Sequence, residues 1–114
     1  MKKVKEFFRV IKEFVRVVPT LLAYKPPADD ELQSMGLLFQ QTVEKYPNKL
    51  ALIFEGRELN WGQFNRLVNQ FAHLLKLQGV QRGDVVSVLL ENRIELLVSV
   101  LALAKIGATG ALLN

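Results

Sequence analysis

The sequence predicts an α/β fold built from an amphipathic helix, a β-hairpin and a parallel β-α-β unit. The most informative stretch is residues 83–114, whose pattern indicates a strand, a helix and a second strand. A parallel pair of strands joined by a helix belongs to a larger sheet that is covered on both faces. We therefore expect this chain to be the opening segment of a larger α/β protein.

The strands of the β-α-β unit are predicted from apolar runs. Residues 85–90 are almost continuously apolar, which favours a strand buried on both faces. Residues 108–113 form the second strand, which should run parallel to the first. The helix between them is expected over residues 93–106, in a right-handed crossover.

The ends of that helix carry local signals. Asn92 can cap its first turn, and Glu95 three residues later completes a sequence that resembles a capping box. Gly107 can adopt the left-handed conformation that ends a helix. Because the helix is apolar almost all round, we expect Leu96 and Leu103 to pack against residues outside this chain. Its inward stripe is expected to contain Ile94, Leu97, Val98, Leu101 and Ala104.

A hairpin and a helix are predicted before this unit. Residues 49–54 form a strand, and residues 55–58 form a turn with Gly56 at positive φ, leading into a short strand at Leu59. Asn60 should cap the following helix, and Gly79 should end it. The buried stripe of that helix is expected to contain Phe64, Leu67, Val68, Phe71, Leu74 and Leu75.

The chain is predicted to have three parts, a basic amphipathic helix over residues 1–24, a linker over 25–30 and an α/β segment over 31–114. Paired prolines favour an extended linker. Asp29 and Asp30 place carboxylates at the start of a helix, where the helix dipole favours them. That helix should run to about Tyr46, with Leu38, Phe39 and Val43 facing inward.

Composition excludes several kinds of site. The 114 residues contain no cysteine and one histidine, which excludes disulfides, thiolate zinc sites and histidine-rich metal sites. Residues 1–25 hold seven Lys/Arg and two Glu, a net charge of +5. Residues 26–114 hold eight Lys/Arg and nine Asp/Glu, a net charge of −1. The basic character therefore belongs to the first helix, and we expect no nucleic-acid binding, which needs a broad basic face.

The first helix is strongly amphipathic. Pro19 is expected to stop it near Val18. Its apolar stripe contains Val4, Phe7, Phe8, Ile11, Phe14, Val15 and Val18. A basic row runs beside that stripe and contains Lys5, Arg9, Lys12 and Arg16.

This pattern has two interpretations. In one, the helix lies in an anionic membrane surface, where Phe7, Phe8, Ile11 and Phe14 enter lipid and Lys5, Arg9, Lys12 and Arg16 meet phosphates. Each cation then contributes roughly 1 kcal/mol, so four contribute on the order of 4 kcal/mol. In the other, the stripe docks on the rest of the protein. Charges interrupt the helix too often for a signal peptide or a membrane span, so we expect the globular part to be cytoplasmic. The first interpretation adds peripheral association with a membrane.

The sequence shows no catalytic pattern. His73 lies opposite the apolar stripe of its helix, which favours a solvated side chain, and Asp84 is expected to hydrogen-bond its own turn. Gly107 and Gly110 precede a strand rather than a helix, so they do not form a phosphate cradle. We assign no catalytic, cofactor-binding or metal-binding residue.

Five short motifs occur in order along residues 37–114. They are Gly56-Arg57, residues 59–64 (LNWGQF), Gly79-Val80, residues 83–86 (GDVV) and residues 103–108 (LAKIGA). Together they resemble the N-terminal segment of the adenylate-forming, or AMP-binding, superfamily. Within it, IFEGREL and ATGALLN are most similar to the very-long-chain acyl-CoA synthetases, also called fatty acid transport proteins.

The resemblance implies the N-terminal fragment of an adenylate-forming enzyme fold. It implies that the parent is a long- or very-long-chain fatty acid–CoA ligase that uses ATP, Mg²⁺ and CoA, with the remainder of the synthetase chain as partner. The family's catalytic elements all come later than this segment, so the fragment alone should be inactive. Two alternatives stay open: a segment of a nonribosomal-peptide adenylation domain, and a non-enzymatic membrane-peripheral interaction domain.

Overall fold

The computed structural model describes residues 1–26, 28 and 33–113. The chain divides into two compact units, residues 1–31 and 32–114. The first contains helix α1 and the second contains three helices and four strands, which confirms the predicted α/β class. In chain order the elements are α1 Lys2–Ala23, α2 Met35–Lys45, β1 Leu50–Phe54, β2 Arg57–Asn60, α3 Trp61–Leu77, β3 Val85–Leu89, α4 Ile94–Ile106 and β4 Thr109–Leu113.

Helix α1 continues through Pro19 to Ala23, so the predicted stop near Val18 is wrong. Proline has a fixed φ that is compatible with a helix, although it removes one backbone hydrogen bond and its ring crowds the carbonyl four residues earlier. Here the helix runs a further turn and ends where the Tyr24 N–H donates to the Leu21 carbonyl over 3.2 Å. The extra turn adds Leu21 and Leu22 to the apolar side of the helix.

Helix α2 begins at Met35, later than the sequence indicated. The Ser34 hydroxyl accepts a hydrogen bond from the Leu37 N–H over 3.1 Å, and this cap sets the first turn. The expected position of the Asp29 and Asp30 carboxylates at the start of this helix lies outside the described residues.

The buried face of α2 contains Gly36, Phe39 and Val43. Leu38 is exposed, contrary to expectation, because it lies about 100° round the helix from Phe39. A Cβ on Gly36 would lie 3.1 Å from the carbonyl oxygen of Ala104, so glycine lets α2 approach the α4 backbone closely.

The hairpin turn is shorter than predicted. Glu55 and Gly56 both have positive φ, 46° and 76°, which gives a two-residue turn of the kind that matches strand twist. Arg57 and Glu58 therefore belong to β2, where Arg57 pairs with Phe54. The prediction of positive φ at Gly56 is confirmed.

Helix α3 has the predicted start and end. The Gln63 N–H donates to Asn60 Oδ1 over 2.7 Å, and the Asn60 N–H donates to Gln63 Oε1 over 2.9 Å, which is a complete capping box. Gly79 follows the helix with φ 88°. Leu74 is exposed rather than buried, because the packed face is centred on Val68 and includes Ala72.

Strands β3 and β4 are parallel neighbours, as predicted, with register Val85↔Thr109 to Leu89↔Leu113. The expected burial on both faces is wrong for this chain. Val88 is buried, whereas Val85 and Leu89 are 68% and 69% exposed. The reason is that one face of the two-stranded sheet packs on α4, and the side chains of the other face are open among the described residues.

Helix α4 begins at Ile94 with Arg93 as its N-cap, and Asn92 does not cap it. The Glu95 carboxylate is instead held by two guanidinium groups, from Arg57 at 3.2 Å and Arg93 at 3.3 Å. Gly107 ends the helix in the left-handed conformation, as predicted.

The packing of α4 corrects a second expectation. Leu103 is 1% exposed and half-buried Leu96 packs on the same core, so both find partners within this chain. Leu103 Cδ1 lies 3.3 Å from where a Cβ on Gly110 would stand, which places it directly beneath β4. Leu97, predicted to face inward, is exposed, and Leu101 is half-buried.

The core of the second unit lies between α2, α3 and α4. At one end Phe39, Trp61 and Phe64 form an aromatic cluster, with the Phe39 and Phe64 rings edge to face at 5.2 Å. The buried apolar side chains are Phe39, Val43, Phe64, Val68, Ala72, Leu75, Val88, Ile94, Val98, Ala102 and Leu103.

Candidate functional site

The eight residues predicted to contact membrane all lie on α1. No side chain of this helix is buried. The exposed fractions of the three phenylalanines Phe7, Phe8 and Phe14 are 62%, 64% and 65%. Phe7 and Phe8 touch edge to face, with ring centroids 6.2 Å apart. Lys5, Ile11, Arg9, Lys12 and Arg16 are also exposed.

Four further apolar side chains of α1 are exposed that the sequence analysis did not include. They are Val10, Val17, Leu21 and Leu22. Two of them follow Pro19, and they were missed because the helix was expected to stop there. The apolar surface of α1 is therefore longer and broader than predicted.

A second polar feature, which the sequence analysis missed, surrounds Lys105 near the end of α4. Its Nζ donates to Gln40 Oε1 at 2.8 Å, to Asn65 Oδ1 at 2.6 Å and to Asn69 Oδ1 at 2.8 Å. The Phe39 ring lies 5.3 Å from the same nitrogen, within the range of a cation–π contact. One lysine thus joins α2, α3 and α4.

The chemistry of this cluster is structural. A lysine ammonium has three N–H donors, and here three amide oxygens use all of them. Burial lowers the pKa of Lys105 below the usual lysine value of 10.5, and the nearby Glu44 carboxylate opposes that shift. No N–H remains for a substrate, so we assign Lys105 to holding the three helices together.

A smaller polar cluster connects the hairpin to the start of α4. Arg57 Nη1 donates to Glu95 Oε1 over 3.2 Å, and both side chains are about half exposed. The backbone N–H of Glu95 lowers the pKa of its own carboxyl, and the hydrogen bond from Arg57 lowers it further. Arg57 of the Gly56-Arg57 motif therefore has a positioning contact in the fold.

The acidic and histidine side chains of the described residues do not form a metal site. Within residues 1–26, 28 and 33–113, no group of three or more His, Cys, Asp or Glu side chains could hold a metal ion. Asp84 Oδ2 accepts the Gln81 N–H over 2.8 Å within its own turn, and His73 is exposed, both as expected. We assign no residue of this chain to ATP, Mg²⁺ or CoA.

None of the described helices combines the length and the apolar character that a transmembrane helix needs.

Comparison with protein families decides the wider identity of the chain. The model of the AMP-binding enzyme family matches residues 39–114, which include α3, α4 and all four strands. The chain belongs to the AMP-binding enzyme family. The match begins within α2, so all the membrane-contact residues predicted on α1 lie before it.

Two curated relatives illustrate the breadth of this family. Tyrocidine synthase 1 of Brevibacillus parabrevis is 37% identical over 75 residues, which are 66% of this chain and 7% of that protein. A medium/long-chain-fatty-acid–CoA/3-oxocholest-4-en-26-oate–CoA ligase of Mycolicibacterium smegmatis is 38% identical over 71 residues, 62% of this chain and 13% of the ligase. The chain therefore spans a small fraction of the relatives that it matches.

A solved structure gives the same fold. The N-terminal subdomain of NpsA from Klebsiella oxytoca superposes with a TM-score of 0.70 and 29% identity over 73% of this chain and 22% of that one. NpsA has also been solved as part of an artificially fused adenylation–PCP di-domain NRPS. The hairpin and the parallel β-α-β unit of this chain thus match the N-terminal subdomain of an adenylation enzyme.

Proposed function

We propose that this chain is the N-terminal portion of a ligase that activates a carboxylate with ATP. In that reaction the carboxylate attacks the α-phosphate, pyrophosphate leaves, and an acyl adenylate forms. The observation that carries the proposal is the family match over residues 39–114. The open outer face of the β3–β4 sheet supports it, because Val85, Leu89 and Leu113 are apolar and exposed there.

We further propose that the carboxylate is a long- or very-long-chain fatty acid and that CoA is the second acceptor. The CoA thiol would displace AMP from the adenylate to give a thioester. Support comes from the similarity of IFEGREL, which covers the hairpin turn, and ATGALLN, which overlaps β4, to very-long-chain acyl-CoA synthetases. The similarity to the Mycolicibacterium smegmatis ligase agrees with this branch.

The second candidate is an adenylation domain of the nonribosomal-peptide type. Tyrocidine synthase 1 and NpsA favour it, with identities of 37% and 29% against 38% for the fatty-acid–CoA ligase. The two candidates share the adenylation step and differ in the carboxylate that they activate and in the thiol that receives it. A substrate panel therefore separates them.

The test is carboxylate-dependent ATP–pyrophosphate exchange by the longer protein that this proposal implies. We expect exchange with long-chain fatty acids and background exchange with each of the twenty amino acids. Exchange with an amino acid alone would reject the fatty-acid branch while keeping adenylation. The matched control is the 114-residue chain by itself, which should show no exchange with any carboxylate because it holds no phosphate-binding loop.

A further inference from the structure

The surface of α1 combines exposed aromatic rings with a one-sided row of cations. At about 100° per residue, the apolar side chains from Val4 to Leu22 occupy roughly half of the helix circumference. The four cations at positions 5, 9, 12 and 16 fall within about 60° on one flank of that half. The helix carries six Lys/Arg and two Glu, so its polar side is net positive.

We propose that α1 lies in the plane of an anionic lipid surface. Phe7, Phe8 and Phe14 would enter the boundary between headgroups and acyl chains, as bulky rings do in interfacial helices. Lys5, Arg9, Lys12 and Arg16 would contact lipid phosphates from the flank of the helix. This goes beyond the proposed function, since α1 precedes the family match over residues 39–114.

Charge complementarity identifies the occupant as a lipid surface. The four cations are spread over about 16 Å along the helix, so they meet an extended anionic surface rather than one phosphate. The apolar side is equally extended, because Leu21 and Leu22 lengthen it beyond Pro19. An anionic membrane interface binds both features, because the acyl chains receive the apolar face and the lipid phosphates receive the cations.

The first measurement is cosedimentation of the 114-residue chain with vesicles. Vesicles of phosphatidylglycerol and phosphatidylcholine in equal parts are compared with vesicles of phosphatidylcholine alone, at low and high salt. We expect binding to the anionic vesicles that weakens at high salt, since salt screens contacts between exposed charges. Absence of binding to anionic vesicles at low salt would overturn the proposal.

Charge variants test the cationic row against net charge. The quadruple change Lys5→Gln, Arg9→Gln, Lys12→Gln and Arg16→Gln should weaken binding to anionic vesicles more than tenfold. The double change Arg9→Gln/Arg16→Gln is matched by Arg66→Gln/Lys76→Gln, which removes the same charge from exposed positions of α3. The α1 pair should weaken binding at least tenfold, since each cation contributes roughly 1 kcal/mol, and the α3 pair by less than twofold. Equal losses would overturn the proposal in favour of general charge attraction.

Apolar variants separate lipid from docking on the protein itself. Phe8→Asp, and separately Phe7→Gln/Phe14→Gln, should each weaken vesicle binding at least tenfold. Neither should change the thermal melting temperature in the absence of lipid, since the proposal gives these rings a lipid partner and no partner within the protein. A lowered melting temperature for Phe8→Asp, together with no vesicle binding by the unmodified chain, would assign the apolar face of α1 to docking on the protein.

Discussion

Leu103→Ala is expected to lower the free energy of unfolding of this chain by about 2–5 kcal/mol. The Leu103 side chain is 1% exposed and lies between α4 and the β3–β4 sheet. Its truncation removes buried methyl groups and leaves a cavity that the parallel strands cannot close without moving. Since small domains are stable by about 5–15 kcal/mol, the variant should lose a large part of its stability. Urea unfolding followed by circular dichroism measures the loss.

Leu97→Ala is the matched control, because it makes the same change on the same helix. Leu97 is 44% exposed. Its truncation should lower the free energy of unfolding by less than about 1 kcal/mol, because it removes less buried apolar surface than the truncation of Leu103. Equal losses for the two variants would contradict the placement of Leu103 beneath the sheet. If Leu103→Ala does not fold, Leu103→Val gives the same comparison at a smaller cost.

The second large effect is expected at Lys105. Replacement by methionine keeps most of the side-chain volume and removes the ammonium group that binds Gln40, Asn65 and Asn69. Three half-buried amide oxygens then lose their donor, and we expect a cost of about 1–3 kcal/mol. Lys76→Met, at an exposed position of α3, should change stability by less than about 0.5 kcal/mol. Equal losses of stability at the two lysines would contradict the role of Lys105 in holding α2, α3 and α4 together.

The difference in stability between the unmodified chain and Lys105→Met should depend on pH in one direction. Burial lowers the folded-state pKa of Lys105 below 10.5, so the folded state releases this proton at a lower pH than the unfolded state does. Between the two pKa values the unfolded state binds more protons, and stability rises with pH. The unmodified chain should therefore gain stability relative to Lys105→Met as pH rises towards 10.5. A falling difference, in paired urea titrations, would contradict the lowered pKa.

The sequence predicts those parts of the fold that are set by local hydrogen bonds or by backbone conformation. The capping box of Asn60 and Gln63 and the left-handed Gly107 are examples, since each depends on neighbouring residues. Asn92 failed as a cap because α4 begins one residue later, with Arg93 at the N-cap, and the Glu95 carboxylate pairs with Arg57, which is 38 residues away. Pro19 lies inside α1 instead of ending it, and the fixed φ of proline is compatible with that helical conformation.

Of the two candidate features, the surface of α1 could be predicted from the sequence and the Lys105 cluster could not. The apolar and basic sides of α1 follow from periodicity, which a single helix displays completely. The Lys105 cluster joins positions 40, 65, 69 and 105, and only the packing of three helices brings them together. Asn65 and Asn69, four residues apart on α3, were the available clue, because that spacing puts two amides on one helix face. Their partner could not be inferred without the fold.

The measurement that tests the central proposal most directly is product analysis of the longer ligase with a long-chain fatty acid, ATP, Mg²⁺ and CoA. The proposal predicts equal amounts of pyrophosphate, AMP and fatty acyl-CoA, each dependent on the fatty acid. Pyrophosphate and AMP should not form when the fatty acid is omitted. Release of ADP and phosphate, or no fatty-acid-dependent turnover of ATP by a folded protein, would contradict it.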